Sequence, residues 1–251
     1  MNELEFIKGA YKALIDRGII TEADLEPSSV TDEMLNDLEK ELDVKLPTLL
    51  RTYLKMYSHH ISMLMAAVPE DLYSKDTEIM GQPKNMTPEE IASMDEDKRT
   101  EIDAVWSVIL RVPKEDPLRD IRNYIEGFRE TIDYLEDKNI SSEDIKRFIP
   151  IGEWMSAGPL CIDTSISDEV FDLQDSDTWK IRWFDHEEFD WKSAGYISEN
   201  GQITGDILFP DFETFILIYF YGVYDKTYFA MLEEEEEEKP DMSTWKEIVY
   251  R

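Results

Sequence analysis

The chain has one cysteine in 251 residues, Cys161, which excludes an internal disulfide and suits a reducing compartment. It has three histidines, and two of them, His59 and His60, are adjacent, a spacing at which both imidazoles cannot easily share a metal ion. Basic residues are scarce: 26 Lys and Arg stand against 57 Asp and Glu, a formal net charge of -31. Binding bare nucleic acid depends on Lys and Arg releasing counterions from phosphates, so a nucleic-acid ligand is not expected and a basic protein is the better-matched partner. Long apolar runs are also missing. The most apolar stretch, "FILIYFYGV" from Phe215 to Val223, is too short to cross a bilayer and has Asp211, Glu213 and Asp225 close by. The opening "MNELEFIKGAYKALIDRG" lacks the uninterrupted apolar stretch of a secretory signal and reads as an amphipathic helix. A soluble, cytoplasmic protein without membrane contact is expected.

Apolar residues make up 42% of the chain, enough for a real core, and their period changes along it. Leu4, Ile7, Tyr11 and Leu14 recur at helical spacing, so a first helix is expected to end near Gly18. Ser29 and Asp32 have capping-box spacing ahead of Val30, Met34, Leu38 and Leu42, and Pro47 reads as a first-turn residue for Leu50, Tyr53, Leu54 and Tyr57. Thr87, Pro88 and Glu90 form a helix start, "VWSVILRV" from Val105 to Val112 reads as a strand, and Ile121, Ile125, Phe128, Ile132 and Leu135 form another helical face. Short candidate strands follow at Phe148 to Ile151, Leu160 to Asp163, Val170 to Leu173 and Trp179 to Phe184, with Asn200-Gly201 as a hairpin turn. Asp211 caps a closing helix through Phe212, Phe215, Ile216, Tyr219 and Phe220. Helices first, a strand meander second and a closing helix predict an α+β domain.

Three stretches resemble the SUKH superfamily, which includes the fungal Smi and Knr cell-wall regulators and many bacterial immunity proteins. "VTDEMLNDLEKELDVKLPTLLRTYLKMY" is similar to its opening motif, with Leu38-Glu39, a spacer, Leu46-Pro47 and the aromatic-rich Tyr53-Leu54. "RFIPIGEWMSAGPLCIDTS" resembles the central strand and the hairpin after it, and "FPDFETFILIYFYG" the closing helix. The resemblance implies a single sheet of mostly antiparallel strands packed with helices over residues 1–225. It implies that 61–146 is an insertion and that the acidic 226–251 is a tail, with Glu233 to Glu238 too repulsive to pack and docking of Trp245 and Ile248 open. Ser58-His59-His60 stands where the family usually has Asn-Gly. The implied function is a non-enzymatic binding module, with no cofactor: an immunity protein that neutralises a toxin by direct binding, or a regulatory scaffold like the fungal members.

A nuclease toxin presents a basic groove to phosphates, and an inhibitor dense in carboxylates imitates that polyanion and is drawn to it at long range. Asp163, Asp168, Asp172, Asp175, Asp177, Asp185, Glu187, Glu188 and Asp190 are the candidate contacts. Trp179, Trp183 and Trp191 are interleaved with them as candidate anchors, with core burial the commoner fate of any one of these residues. No catalytic residue is assigned. Asp185-His186-Glu187 has no Ser or Cys nucleophile in a recognisable setting, "DLQDSDTW" lacks the Gly and terminal Glu of an EF-hand loop, and Cys161 reads as a small buried hydrophobe.

Overall fold

The computed structural model describes residues 1–66, 106–136, 139–154, 157–164 and 179–223. It is an α+β structure built on an antiparallel meander. In chain order it runs α1 (Glu3–Asp16), a 3-10 turn (Glu22–Asp24), β1 (Glu26–Pro27), α2 (Asp32–Leu42), α3 (Thr48–Met56), β2 (Tyr57–Ser58), β3 (Met63–Met65) and β4 (Trp106–Ile109). It continues with α4 (Arg119–Glu130), a 3-10 turn (Thr131–Tyr134), α5 (Ser142–Ile145), β5 (Phe148–Trp154), β6 (Pro159–Asp163), β7 (Ile181–Trp183), β8 (Asp206–Phe209) and α6 (Phe212–Tyr219). Strands β3 to β8 lie side by side in sequence order in one six-stranded sheet, and β1 pairs with β2 separately.

The helices start and stop where local chemistry provides for it. Asn2 and Glu5 form a reciprocal capping box at α1. The cap of α2 is Thr31, whose hydroxyl accepts from Met34 N–H, and not Ser29: Ser29 is two residues too early for the first-turn amides. Pro47 sits one position before the first turn of α3. Between them the Glu39 carboxylate accepts from Leu46 N–H at 2.8 Å and lies 3.0 Å from the Arg51 guanidinium, which gives the Leu-Glu and Leu-Pro blocks a shared physical role. That acid braces the corner between two helices whose apolar faces, Leu35, Leu38 and Leu42 with Leu49, Leu50, Tyr53 and Leu54, turn into the core.

The Gly158-Pro159 pair closes the hairpin between β5 and β6. Gly158 has φ 142°, and a Cβ there would lie 1.9 Å from Phe184 O, so only glycine lets the turn pass beneath the strand-end backbone. Pro150 cannot donate a hydrogen bond, yet it sits in a central strand; the ladder shifts register between Pro150 and Gly152, which absorbs the missing donor. Alternation then divides the strand residues. Ile149, Ile151, Leu160, Ile162 and Ile181 face a large core shared with α1, α2, α3, α6 and the Ile121 and Ile125 face of α4. Phe148, Cys161 and Phe184 face a second cluster with Phe128, Trp191, Tyr196 and Ile203.

Asp211 caps α6 through Thr214 N–H at 2.7 Å, as its position predicts, and every residue of this helix is buried. Arg17 donates to the Tyr219 and Phe220 carbonyls at 3.0 and 2.9 Å, and Tyr221 donates to Phe6 O at 2.7 Å, so the two ends of the described chain are joined. Of the described parts of 61–146, β3 and β4 are strands of the main sheet and α4 packs on β5. The helix start at Thr87, the strand at Val170 to Leu173 and the tail 226–251 fall outside the described residues.

Candidate protein-binding surface

The expected acidic belt separates into an interior part and an exterior part. Asp163 is fully buried at the end of β6, 3.4 Å from Arg147 Nε and 3.5 Å from Arg182 Nε. Arg147 also donates to Ile203 O and stacks 4.7 Å from the Phe148 ring. Two guanidiniums pay for the burial of one carboxylate, and Asp163 is therefore a structural ion and not a contact for a partner. Its charge, after burial itself, helps push the Cys161 thiol well above its ordinary range. Asp168, Asp172, Asp175 and Asp177 lie outside the described residues.

The tryptophans lie largely inward as well, the commoner fate of such residues. Trp179 and Trp191 are buried, the first beneath Lys45 Nζ at 5.8 Å and the second stacked on Phe184 at 4.9 Å. Trp183 is half-buried in a T-shaped contact with Trp154 at 5.3 Å. The demand of a large ring for contact area draws them inward: Trp179 and Trp183 pack with the large core, and Trp191 with the Phe184 and Tyr196 cluster beneath the turn that follows β7.

What remains outside is the turn from Asp185 to Asp190. Its backbone is tightly held. His186 N–H donates to Ala157 O at 2.8 Å, Asp185 N–H donates to the Tyr196 hydroxyl at 3.0 Å, and the Asp185 carboxylate accepts from Glu187 N–H at 2.8 Å. Burial pushes the Tyr196 phenol up to about 12, with the Asp206, Asp185 and Glu188 charges adding to it, so it stays a neutral hydroxyl. Asp190 accepts from the Ser193 hydroxyl at 2.5 Å and its N–H at 3.1 Å, which holds its carboxyl below the usual range and keeps it ionised. Asp185-His186-Glu187 is thus a turn whose first carboxylate is spent on backbone geometry.

Two exposed aromatic residues flank these charges. Phe189, between Glu188 and Asp190, is 49% exposed, and Tyr134 is 72% exposed. Their segments are joined by the Glu136 N–H to Phe189 O hydrogen bond of 2.8 Å, two residues along the chain from Tyr134. Lys192 is the exposed cation nearby in sequence. Large apolar side chains left in water among carboxylates are the kind of surface on which protein contacts are commonly built. Sequence reasoning missed both aromatics, although a phenylalanine inside "HEEFDW" has no strand or helix period to bury it.

His59 is a core residue. Its Nε2 lies 3.1 Å from the Tyr53 hydroxyl, which donates its own proton to Leu110 O at 2.7 Å, so Nε2 carries the hydrogen. Burial, with the neighbouring His60 second, lowers its pKa to about 4. Among the described residues no group of three or more His, Cys, Asp or Glu could hold a metal ion, and no helix is long and apolar enough to cross a membrane. No family model, curated protein or solved structure matches the chain.

Proposed function

We propose that the chain is a non-enzymatic, cytoplasmic protein-binding module of SUKH type, acting as an antidote that neutralises a basic toxin domain, such as a nuclease, by stoichiometric occlusion. One observation carries the reading: the outward turn Asp185–Asp190 places Phe189 in solvent among carboxylates, on a backbone fixed before any partner arrives, and the segment hydrogen-bonded to it carries the exposed Tyr134. Fixed aromatic anchors limit the entropy lost on association, and the surrounding negative field speeds encounter with a cationic surface. The Glu39 brace of the Leu-Glu and Leu-Pro blocks, the Gly158-Pro159 hairpin and the buried closing helix support the SUKH assignment, because each motif has a fold-determining task.

The test is co-expression with the product of the adjacent gene. Survival of the host at equimolar levels, with loss of protection in a Glu187→Lys/Glu188→Lys variant, is the expected result. Continued death at equimolar levels counts against it, and recovery of several non-toxic partners moves the chain to the regulatory-scaffold class.

A further inference from the structure

A cleft of about 720 Å³ lies between the Ile19–Glu26 segment and the chain from Ser58 to Met63, with Lys114 and Glu115 also lining it. It opens where a strand pairing stops. β1 accompanies β2 for two residues only, Glu26 opposite Ser58 and Pro27 opposite Tyr57, and the preceding residues turn away into the 3-10 turn. The opposite side of the same stretch stays paired: His59 bridges Val112, and Met63 to Met65 run against β4. Ile109 N–H donates to Ser62 O at 3.0 Å, so alternation in an antiparallel ladder turns the N–H and C=O of the next residue, Met63, away from β4. Among the described residues β3 is an edge of the sheet, and that backbone donor and acceptor lie on its open side.

The cleft also has an apolar and a charged character of its own. The Met63 side chain is 54% exposed and Ile19 41%, two of the few large apolar groups left in water. Asp24, Glu26 and Glu115 supply three carboxylates against one lysine, Lys114, and that ammonium is engaged by Glu26 at 2.5 Å. Hydrogen bonds from Thr21 N–H and the Thr21 hydroxyl hold the Asp24 carboxyl below its usual range.

We propose that this edge is a second docking site, which receives an extended basic peptide segment of a partner protein as a strand added beside β3, in line with β1. The peptide backbone pairs with Met63, an apolar side chain rests on Ile19 and Met63, and a Lys or Arg meets Asp24 and Glu115. The proposal rests on reading the chain as a protein-binding module, but on a different face: β4, β5 and β6 stand between this edge and β7, which leads into the acidic turn.

The full chain is used to select from a phage-displayed library of random dodecapeptides, and the enriched peptides are titrated by fluorescence anisotropy. Enrichment of Lys- and Arg-containing extended peptides is expected, with binding weakened about tenfold or more by Met63→Arg, by Glu115→Lys and by N-methylation of alternate peptide amides. Amide shifts of the ¹⁵N-labelled chain should centre on Ile19, Asp24, His60 and Met63. Absence of enrichment, or binding indifferent to backbone methylation, overturns the proposal. So does concentration-dependent dimerisation abolished by Met63→Arg, which assigns the edge to a second copy. Failure here with partner binding still sensitive to Glu187→Lys/Glu188→Lys removes only this site, whereas loss of both removes the binding-module reading.

Discussion

The central strand residues on one side of the sheet are mostly aliphatic, with Phe209, Trp154 and Trp183 toward its margins, and those on the other are chiefly aromatic and ionic. Ile149, Ile151, Leu160, Ile162 and Ile181 meet residues of five helices in the large core, whereas Phe148 and Phe184 meet Phe128, Trp191 and Tyr196 in a small one, with the buried Asp163 ion group at the end of the same strands. The large core has many members among which a loss can be shared. The small one holds the Asp185–Asp190 turn through a few rings and hydrogen bonds, so the surface proposed to meet a partner depends on the less redundant side.

Truncation of Trp191 should separate the two sides most sharply. Trp191→Ala is expected to lower unfolding free energy by about 3–5 kcal/mol, with hydrogen exchange rising first in residues 184–205 and last in α6. A uniform rise across both sides would break the comparison. Asp163→Asn comes next, at about 3 kcal/mol, because it leaves Arg147 and Arg182 without their buried counter-charge. An Asp163→Leu/Arg182→Met double variant should lose less than the sum of its single changes in denaturant titrations.

The large core carries its own pH dependence through His59. Its pKa is lowered from 6.5 to about 4 in the folded state, so the unfolded chain binds the proton first as pH falls. The stability from the neutral ring is full above pH 6.5 and is lost progressively toward pH 4, by up to about 3 kcal/mol. Urea titrations of His59→Gln should show a shallower acid limb over that window, and identical limbs would contradict the assignment. The smallest stability effect is expected outside: Phe189→Ala and Tyr134→Ala should change unfolding free energy by less than about 0.5 kcal/mol while weakening partner binding about tenfold or more. Trp191 and Phe189 are two residues apart, and the pair distinguishes support from contact.

Much of the fold was legible because its signals are local. Helical spacing placed α1 to α4, Asp211 announced α6, and Gly158-Pro159 announced the central hairpin. The cap at Thr31 was misplaced because three hydroxyl residues precede the helix and only backbone geometry chooses among them. β3 was not legible in the sequence, because it is three residues long and has no alternating pattern to read. The site was only half legible. Asp163 and Asp190 are equivalent in composition, yet pairing across strands brings two arginines from distant positions onto the first and none of that is encoded near it. The segments that carry Phe189 and Tyr134 are joined by the backbone hydrogen bond from Glu136 to Phe189, more than fifty residues apart, which no sequence period records.

The most direct test is the rate of association between the full chain and the basic partner proposed for it, sought first in the product of the adjacent gene, measured as salt is raised from about 0.05 to 0.5 M. The account predicts a fall of about tenfold or more over that range, with a lower and flatter curve for Glu187→Lys/Glu188→Lys. A rate that ignores both salt and the charge reversal would contradict it.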